Sequence, residues 1–388
     1  MSEKKRKLAL VMISMIPNAY LLKSMLYFLP DITIVLYLIV YVITIVYWYR
    51  NGIKISFGLF DICIYLWALL LLTSVLYSPY PIVGIIKLSK LILLGFSLIM
   101  FIRILIRNKH DWEYLIKSYL ITAFLLQICV IINFLLVGQM GRFSFFDAHP
   151  IPLGMLGATS VVIAVAMIIA KKISFIQFFL LITSSLWIVV LSSSKGPALA
   201  MILSIAMLLP SSIKHLKRNI SLIILAILTL LIISKTQQYQ LMVYRFLGLT
   251  TDESTYIRLE LYQSAKDIFV KSPLIGGGLG VFNGNYPHSV YWEVLGEGGM
   301  LLGALLCLLF IWVFYKYIVY IFKYRNDVYY FTSIGVLMAS IFVLLVSYTY
   351  CDLKFLYFGI GLVLVQKKLR LTPDPEPVIH KKKYTIIS

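Results

Sequence analysis

The stretch "VYWEVLGEGGMLLGALLCLLFIWVFYKYIVYIF", Val290 to Phe322, decides the fold class. It is apolar almost throughout and longer than the roughly 20 residues that cross a hydrocarbon core of about 30 Å. It is therefore expected to span a membrane and to tilt or project beyond it. Its only carboxylates, Glu293 and Glu297, come at the start, just behind His288. A titratable histidine and two glutamates at the mouth of a span need an explanation, and the side they face decides which.

Working outward, similar runs recur from end to end. The chain has 388 residues, 61% of them hydrophobic and 13% charged, with a mean hydropathy of +0.93. Ordinary soluble domains do not have this composition. The reading is an all-α, polytopic transmembrane bundle of about twelve spans, near 8–29, 31–49, 59–77, 82–106, 112–137, 150–170, 173–192, 195–210, 219–235, 290–322, 328–350 and 352–366. Alternating segments of about ten residues, the mark of a membrane barrel, are absent. The first run follows "EKKRK" without a small-residue cleavage site, which suggests a retained span rather than a signal peptide. The four cysteines, Cys63, Cys129, Cys307 and Cys351, show no metal spacing and read as small buried hydrophobes.

The net charge of +19 would suggest nucleic acid in a soluble protein. Here its distribution reports topology instead, and no nucleic-acid partner is expected. With the N-terminus inside, the inner segments carry Lys4 to Lys7, Arg50 and Lys54, Arg103, Arg107 and Lys109, Lys171 and Lys172, Lys214, Lys217 and Arg218, Lys316, Lys323 and Arg325, and the basic tail. That alternation follows the positive-inside rule and requires an even number of spans, with both termini cytoplasmic. The expected organisation is one membrane domain: helices in 1–235, a large outer loop at 236–289, further helices in 290–370 and a tail at 371–388. Within the loop, "TYIRLELYQSAKDIFVKSP" predicts an amphipathic helix with Ile257, Leu261, Ala265 and Ile268 on one face, stopped by Pro273.

The residues able to do chemistry fall on the outer side. His288 can take a proton from a hydroxyl near neutral pH, or simply cap a helix at the interface. Arg258 and Arg245 offer planar forks suited to phosphate. "SPLIGGGLGVF", with Gly276, Gly277, Gly278 and Gly280, could aim backbone amides at an anion or be a tight re-entry turn. "LSSSKGPALA" puts three serines and Lys195 on a hairpin tip, for a phosphate or merely for the turn. "GRFSFFDAHPIPLG" adds Arg142, Asp147 and His149, too few for a metal site. Lys87 and Lys90 lie about six residues inside a span, either snorkelling outward or contacting an anion.

In order and topology these pieces resemble the O-antigen polymerase and O-antigen ligase superfamily of bacterial membrane glycosyltransferases. The motifs are "SSSKGPALA", "RLELYQSAKDIFVKSPLIGGGLGVF" and "HSVYWEVLGEGGMLLG", within 191–303. The resemblance implies a GT-C-type, metal-independent enzyme without a cofactor. Its donor would be an undecaprenyl-diphosphate-linked oligosaccharide in the membrane lipid, used outside the cytoplasmic (inner) membrane. His288, Arg258 and Lys195 match the catalytic positions. Lysine replaces the hairpin arginine, keeping the charge and losing the fork. Arg142, Arg245, Gly276, Gly278, Gly280, Glu293, Glu297, Lys87 and Lys90 complete the expected substrate-binding set.

The polymerase, which joins one lipid-linked repeat unit to another, is the favoured expectation, with a chain-length regulator protein as a further partner. The ligase, whose acceptor is lipid A core, carries the same motifs. A transporter or flippase of lipid-linked sugars is the alternative of another class. It would line a path through the bilayer with charge, for which Lys87 and Lys90 are the only sequence hints.

Overall fold

The computed structural model describes residues 3–28, 31–53, 55, 57–138, 143–146, 148–212, 228–229, 231–247, 253–324 and 327–371. Arg142, Asp147, Lys54, Arg325, the basic loop with Lys214, Lys217 and Arg218, most of the expected 219–235 span and the tail beyond Leu371 lie outside them. Among the described residues there is no strand, only an isolated bridge between Phe145 and Ala148.

In chain order the helices are α1 (Glu3–Met15), α2 (Ala19–Met25), α3 (Ile32–Asn51), α4 (Leu59–Val75), α5 (Pro81–Ser89), a π-helical stretch (Lys90–Phe96) and α6 (Ser97–Leu105). They continue with α7 (Lys109–Val137), α8 (Pro150–Ile169), α9 (Phe175–Ser192), α10 (Lys195–Ser212), α11 (Gln237–Leu247) and α12 (Glu253–Lys271). The last are α13 (Val290–Val319), α14 (Val328–Val346), α15 (Lys354–Leu364) and α16 (Gln366–Leu371). Eight helical stretches among the described residues are long and apolar enough to cross a membrane, and Leu59–Val75 and Lys195–Leu208 are shorter apolar helices. The protein is therefore a multi-pass helical membrane protein, and the described residues do not by themselves establish the expected twelve spans.

Side-chain oxygens set several helix starts, as the sequence chemistry favours. Asp31 accepts from the Thr33 amide, Asn108 from Asp111, Ser174 from Gln177 and Asp327 from Tyr329. His149 does the same for α8 through Nδ1, 3.3 Å from the Ile151 amide. A capping role thus accounts for one residue of the upstream polar motif.

Helix α8 is the centre of the bundle, packed on α9, α10 and α14. Small residues allow this: a Cβ on Gly157 would lie 2.6 Å from the Ser185 carbonyl, and one on Gly154 would lie 2.8 Å from Pro197. Between lipid-immersed helices such close approach replaces the hydrophobic effect as the packing force. Gln127 on α7 adds polar contacts to Ser184 and Ser185 on α9, at 2.6 and 3.0 Å. Of the cysteines, Cys351 is buried but Cys307 is exposed, contrary to expectation, because its side of α13 faces outward.

One end of the bundle is tied by ion pairs among basic residues expected inside: Arg6 with Asp111 at 2.9 Å, Lys172 with Glu113 at 2.8 Å, and Arg103 with Asp61. The opposite end gathers the starts of α5, α10 and α13 and the ends of α9 and α14.

Helix α13 is not one rod. At Gly299 the backbone leaves helical geometry, with φ 58° and ψ −151°, a region that suits glycine. The expected over-long span is thus broken in two rather than only tilted. Residues 273–280 lie against the break as a strap. Met300 donates to the Pro273 carbonyl at 2.8 Å and Leu301 to Leu274 at 3.2 Å. In return Gly277 donates to Gly296 at 2.8 Å and Gly278 to Glu297 at 2.9 Å. The backbone groups freed by the break are therefore paired, as they must be within an apolar bundle.

Candidate active site

The site is built around the segment that follows α14, residues 346–350. The α9–α10 hairpin reaches it first. Ser193 has left-handed geometry at the end of α9, and α10 begins at Lys195. A Cβ on Gly196 would lie 2.6 Å from Ser347 Cβ, so the hairpin tip rests on Ser347. Of the two readings of the hairpin, the three serines fit the turn rather than a phosphate site. They are buried, and Ser192 and Ser193 donate to the carbonyls of Val189 and Val190 at 2.7 and 3.1 Å. Lys195, half-buried, is the hairpin's cationic group.

Arg258 reaches the same segment from α12. Its guanidinium donates to the Val346 carbonyl at 3.2 Å and to Ser347 Oγ at 3.5 Å. The packed face of α12 is largely the one expected: Ala265 is fully buried and Leu261 and Ile268 half-buried, but Ile257 is 46% exposed and Arg258 is half-buried in its place. The arginine takes the place of the isoleucine because its fork finds acceptors where the unwound end of α14 leaves carbonyls unpaired within the helix. Arg245, on α11, donates to the Ser193 carbonyl at 3.0 Å and so binds α11 to the hairpin.

His288 approaches from the third side, between strap and α13, with φ 55°. Its ring lies 4.4 Å from that of Tyr286, which is 6.4 Å from Tyr348. The hairpin and the loop helix therefore meet at residues 346–347, and the histidine reaches Tyr348 by way of the Tyr286 ring, although the three are far apart in the chain. Burial pushes the phenols of Tyr286 and Tyr348 well above the ordinary tyrosine range, with Glu293 and Asp352 adding to it at Tyr286 and Asp352 at Tyr348. Both stay neutral hydroxyls, Tyr286 beside the imidazole and Tyr348 behind Tyr286.

Beneath lies a buried ionic cluster. Lys87 Nζ is 2.5 Å from Glu293 Oε1 and 2.6 Å from Glu297 Oε1, with the carboxylates 0% and 1% exposed. Thr349 Oγ1 donates to Glu293 at 2.6 Å, and Tyr350 donates to Glu297 Oε2 at 2.8 Å. The two glutamates share a face, as their spacing predicts. Lys87 neither snorkels nor presents itself to a ligand, because its ammonium is held between them. Lys90, 45% exposed, pairs with Asp352 at 3.1 Å.

The glycine turn is also corrected. Gly276 donates to the Ser272 carbonyl, Gly277 and Gly278 to the broken helix, and Gly280 to Glu297 Oε1 at 3.3 Å. These amides hold the strap in place and do not form an anion cradle. Close packing requires the glycines: a Cβ on Gly278 would lie 2.7 Å from the Ser74 carbonyl.

Sequence reasoning missed Ser347, Tyr348, Thr349, Tyr350 and Tyr286. The first four were read as the end of a span over 328–350, but α14 stops at Val346. The available signal was the run "SYTYCD", five side chains with polar atoms and a thiol closing an otherwise apolar stretch.

Fold and site together define a multi-pass membrane protein with cations, an imidazole and neutral phenols gathered at one end of the bundle. Residues 178–307 match the family model described as O-antigen ligase. The match supports the O-antigen ligase and polymerase superfamily, whose members are membrane glycosyltransferase-like enzymes. It runs from α9 through the hairpin, Arg258, the strap and His288 into the broken helix. No curated protein and no solved structure matches the chain.

Proposed function

We propose that the chain is a surface-polysaccharide polymerase, moving a growing glycan from undecaprenyl diphosphate to the sugar of another lipid-linked repeat unit. The observation that carries this reading is that the hairpin bearing Lys195, through Gly196, the side chain of Arg258 and, by way of the Tyr286 ring, His288 all reach residues 346–348. In one displacement, the acceptor hydroxyl oxygen bonds to the anomeric carbon as the bond from that carbon to the diphosphate oxygen breaks. His288 takes the hydroxyl proton. Arg258 and Lys195 stabilise the charge that develops on the departing diphosphate, in a poorly hydrated place where such contacts are strong.

Two further features support it. An apolar groove of about 480 Å³ runs between α4, α6, α13 and α15, lined by Phe60, Trp67, Ile99, Leu305 and Trp312, and ends at Tyr350 beside the ionic cluster. It has the size and character for part of a polyprenyl chain. The basic residues alternate as the positive-inside rule requires for twelve spans with both termini cytoplasmic. On that topology the site would face outward from the cytoplasmic membrane, on the same side as the loop at 236–289.

The ligase shares these residues, so the acceptor separates the two. The test supplies purified full-length protein with undecaprenyl-diphosphate-linked repeat units extracted from the encoding cell. Longer lipid-linked glycan with release of undecaprenyl diphosphate is the expected result. Transfer only when lipid A core is added would make it a ligase. Movement of substrate across vesicles with no new glycosidic bond would refute transfer.

A further inference from the structure

Lys87 is a cation inside a membrane bundle, paired with Glu293, Glu297 and the Tyr350 ring rather than with the groups proposed for transfer. Its ammonium sits between two carboxylates on the first half of the broken α13. Charge at membrane depth is costly and marks function by default. Snorkelling does not explain it, because the side chain is only 14% exposed and turned toward Glu293 and Glu297.

What the cluster joins is informative. Glu293 lies five residues beyond His288, in the first turn of the helix that follows the histidine, so it fixes the start of that helix. Glu297 binds the strap through the Gly280 amide. Thr349 and Tyr350, which donate to the two carboxylates, lie two and three residues beyond Ser347. Ser347 is where Arg258 and the Lys195 hairpin rest. Glu293 Oε2 is buried with no hydrogen-bond partner among the described residues. Lys87 and Thr349, both on Oε1, therefore supply the contacts that hold this carboxylate. Lys87 also lies 4.9 Å over the Tyr350 ring. One ammonium thus links the element bearing the proton acceptor to the element bearing the acceptors for the catalytic arginine.

We infer that Lys87 is a positioning residue for transfer: by clamping Glu293 and Glu297 it sets the distance between His288 and the Arg258–Ser347 contact. This rests on the transfer reading. Losing one charge-assisted contact at this joint lowers kcat by at least about tenfold, while KM changes little because Lys87 does not touch substrate.

The test compares Lys87→Met, Lys87→Arg and the triple variant Lys87→Met/Glu293→Gln/Glu297→Gln in the full-length protein. Glutamine oxygens can still accept from Thr349 and Tyr350, only the long Gly280 contact to residue 297 is given up, and the methionine refills the lysine stem, so the neutral cluster keeps most of its shape without buried charge. The substrate probe is the extracted undecaprenyl-diphosphate repeat unit. A second readout needs no activity: the distance between spin labels at Asn285 and Leu345 in a cysteine-free chain. Expected are a drop in kcat and a broadened distance for Lys87→Met, with both largely restored in the triple variant. Normal kcat in Lys87→Met overturns the inference. So does a raised KM at unchanged kcat, or a folded triple variant as impaired as Lys87→Met. If Lys87→Met does not insert, Lys87→Arg and the triple variant decide by the same criteria. If the unaltered protein releases no undecaprenyl diphosphate, the transfer reading fails, and the label distances still judge Lys87.

Discussion

Replacing Gly299 with alanine tests whether the broken helix holds the site together. At φ 58° and ψ −151° a side chain is strained, at about 1–3 kcal/mol. The new Cβ would also sit 2.5 Å from the Leu274 carbonyl carbon, a backbone atom that cannot swing aside. The chain can escape by straightening α13, which returns the Met300 and Leu301 amides to helical partners but displaces the strap. The Gly277 and Gly278 bonds to the helix are then lost, at about 1 kcal/mol each. Docking of the strap should weaken by about 2–4 kcal/mol, which at about 1.4 kcal/mol per decade is about 30- to 700-fold. Hydrogen exchange of the 273–282 amides in lipid nanodiscs reads this directly, since it reports local opening. Exchange within about threefold of the unaltered protein would refute the reasoning, because the strain would then have been absorbed without moving the strap.

Three other outcomes follow from the same geometry. Arg258→Lys keeps the charge but not the fork that reaches Val346 and Ser347, so kcat/KM for lipid diphosphate release should fall about 10- to 150-fold; a loss under about threefold would contradict the proposed role. His288→Gly and His288→Ala should both abolish transfer, yet the glycine variant should be the more stable by about 1 kcal/mol, because φ is 55° there; equal melting would contradict the strain. Tyr286 and Tyr348 have phenol pKa values raised by burial, so the folded state keeps their protons more tightly than the unfolded chain. Their contribution is intact below the ordinary tyrosine value of about 10 and is lost as pH rises above it. Melting followed from pH 8 to 11 should therefore fall less steeply in Tyr286→Phe/Tyr348→Phe, and parallel curves would count against it.

The amino-acid order alone determined that the chain is helical and crosses a membrane many times, because apolar run length and basic alternation act locally on each segment. It also picked out Lys195, Arg258 and His288, through motif order, and the shared face of Glu293 and Glu297, through helical period. It could not tell that Lys87 is an internal counter-ion, that the strap's glycine amides are already bonded, or that α13 breaks at Gly299. Each of those depends on which distant segment lies alongside: Lys87 and Glu293 are 206 residues apart, and the break exists only with the strap there to take its backbone groups. Tertiary packing decided them, because in an apolar bundle a charge or an amide takes whichever partner the fold brings within reach.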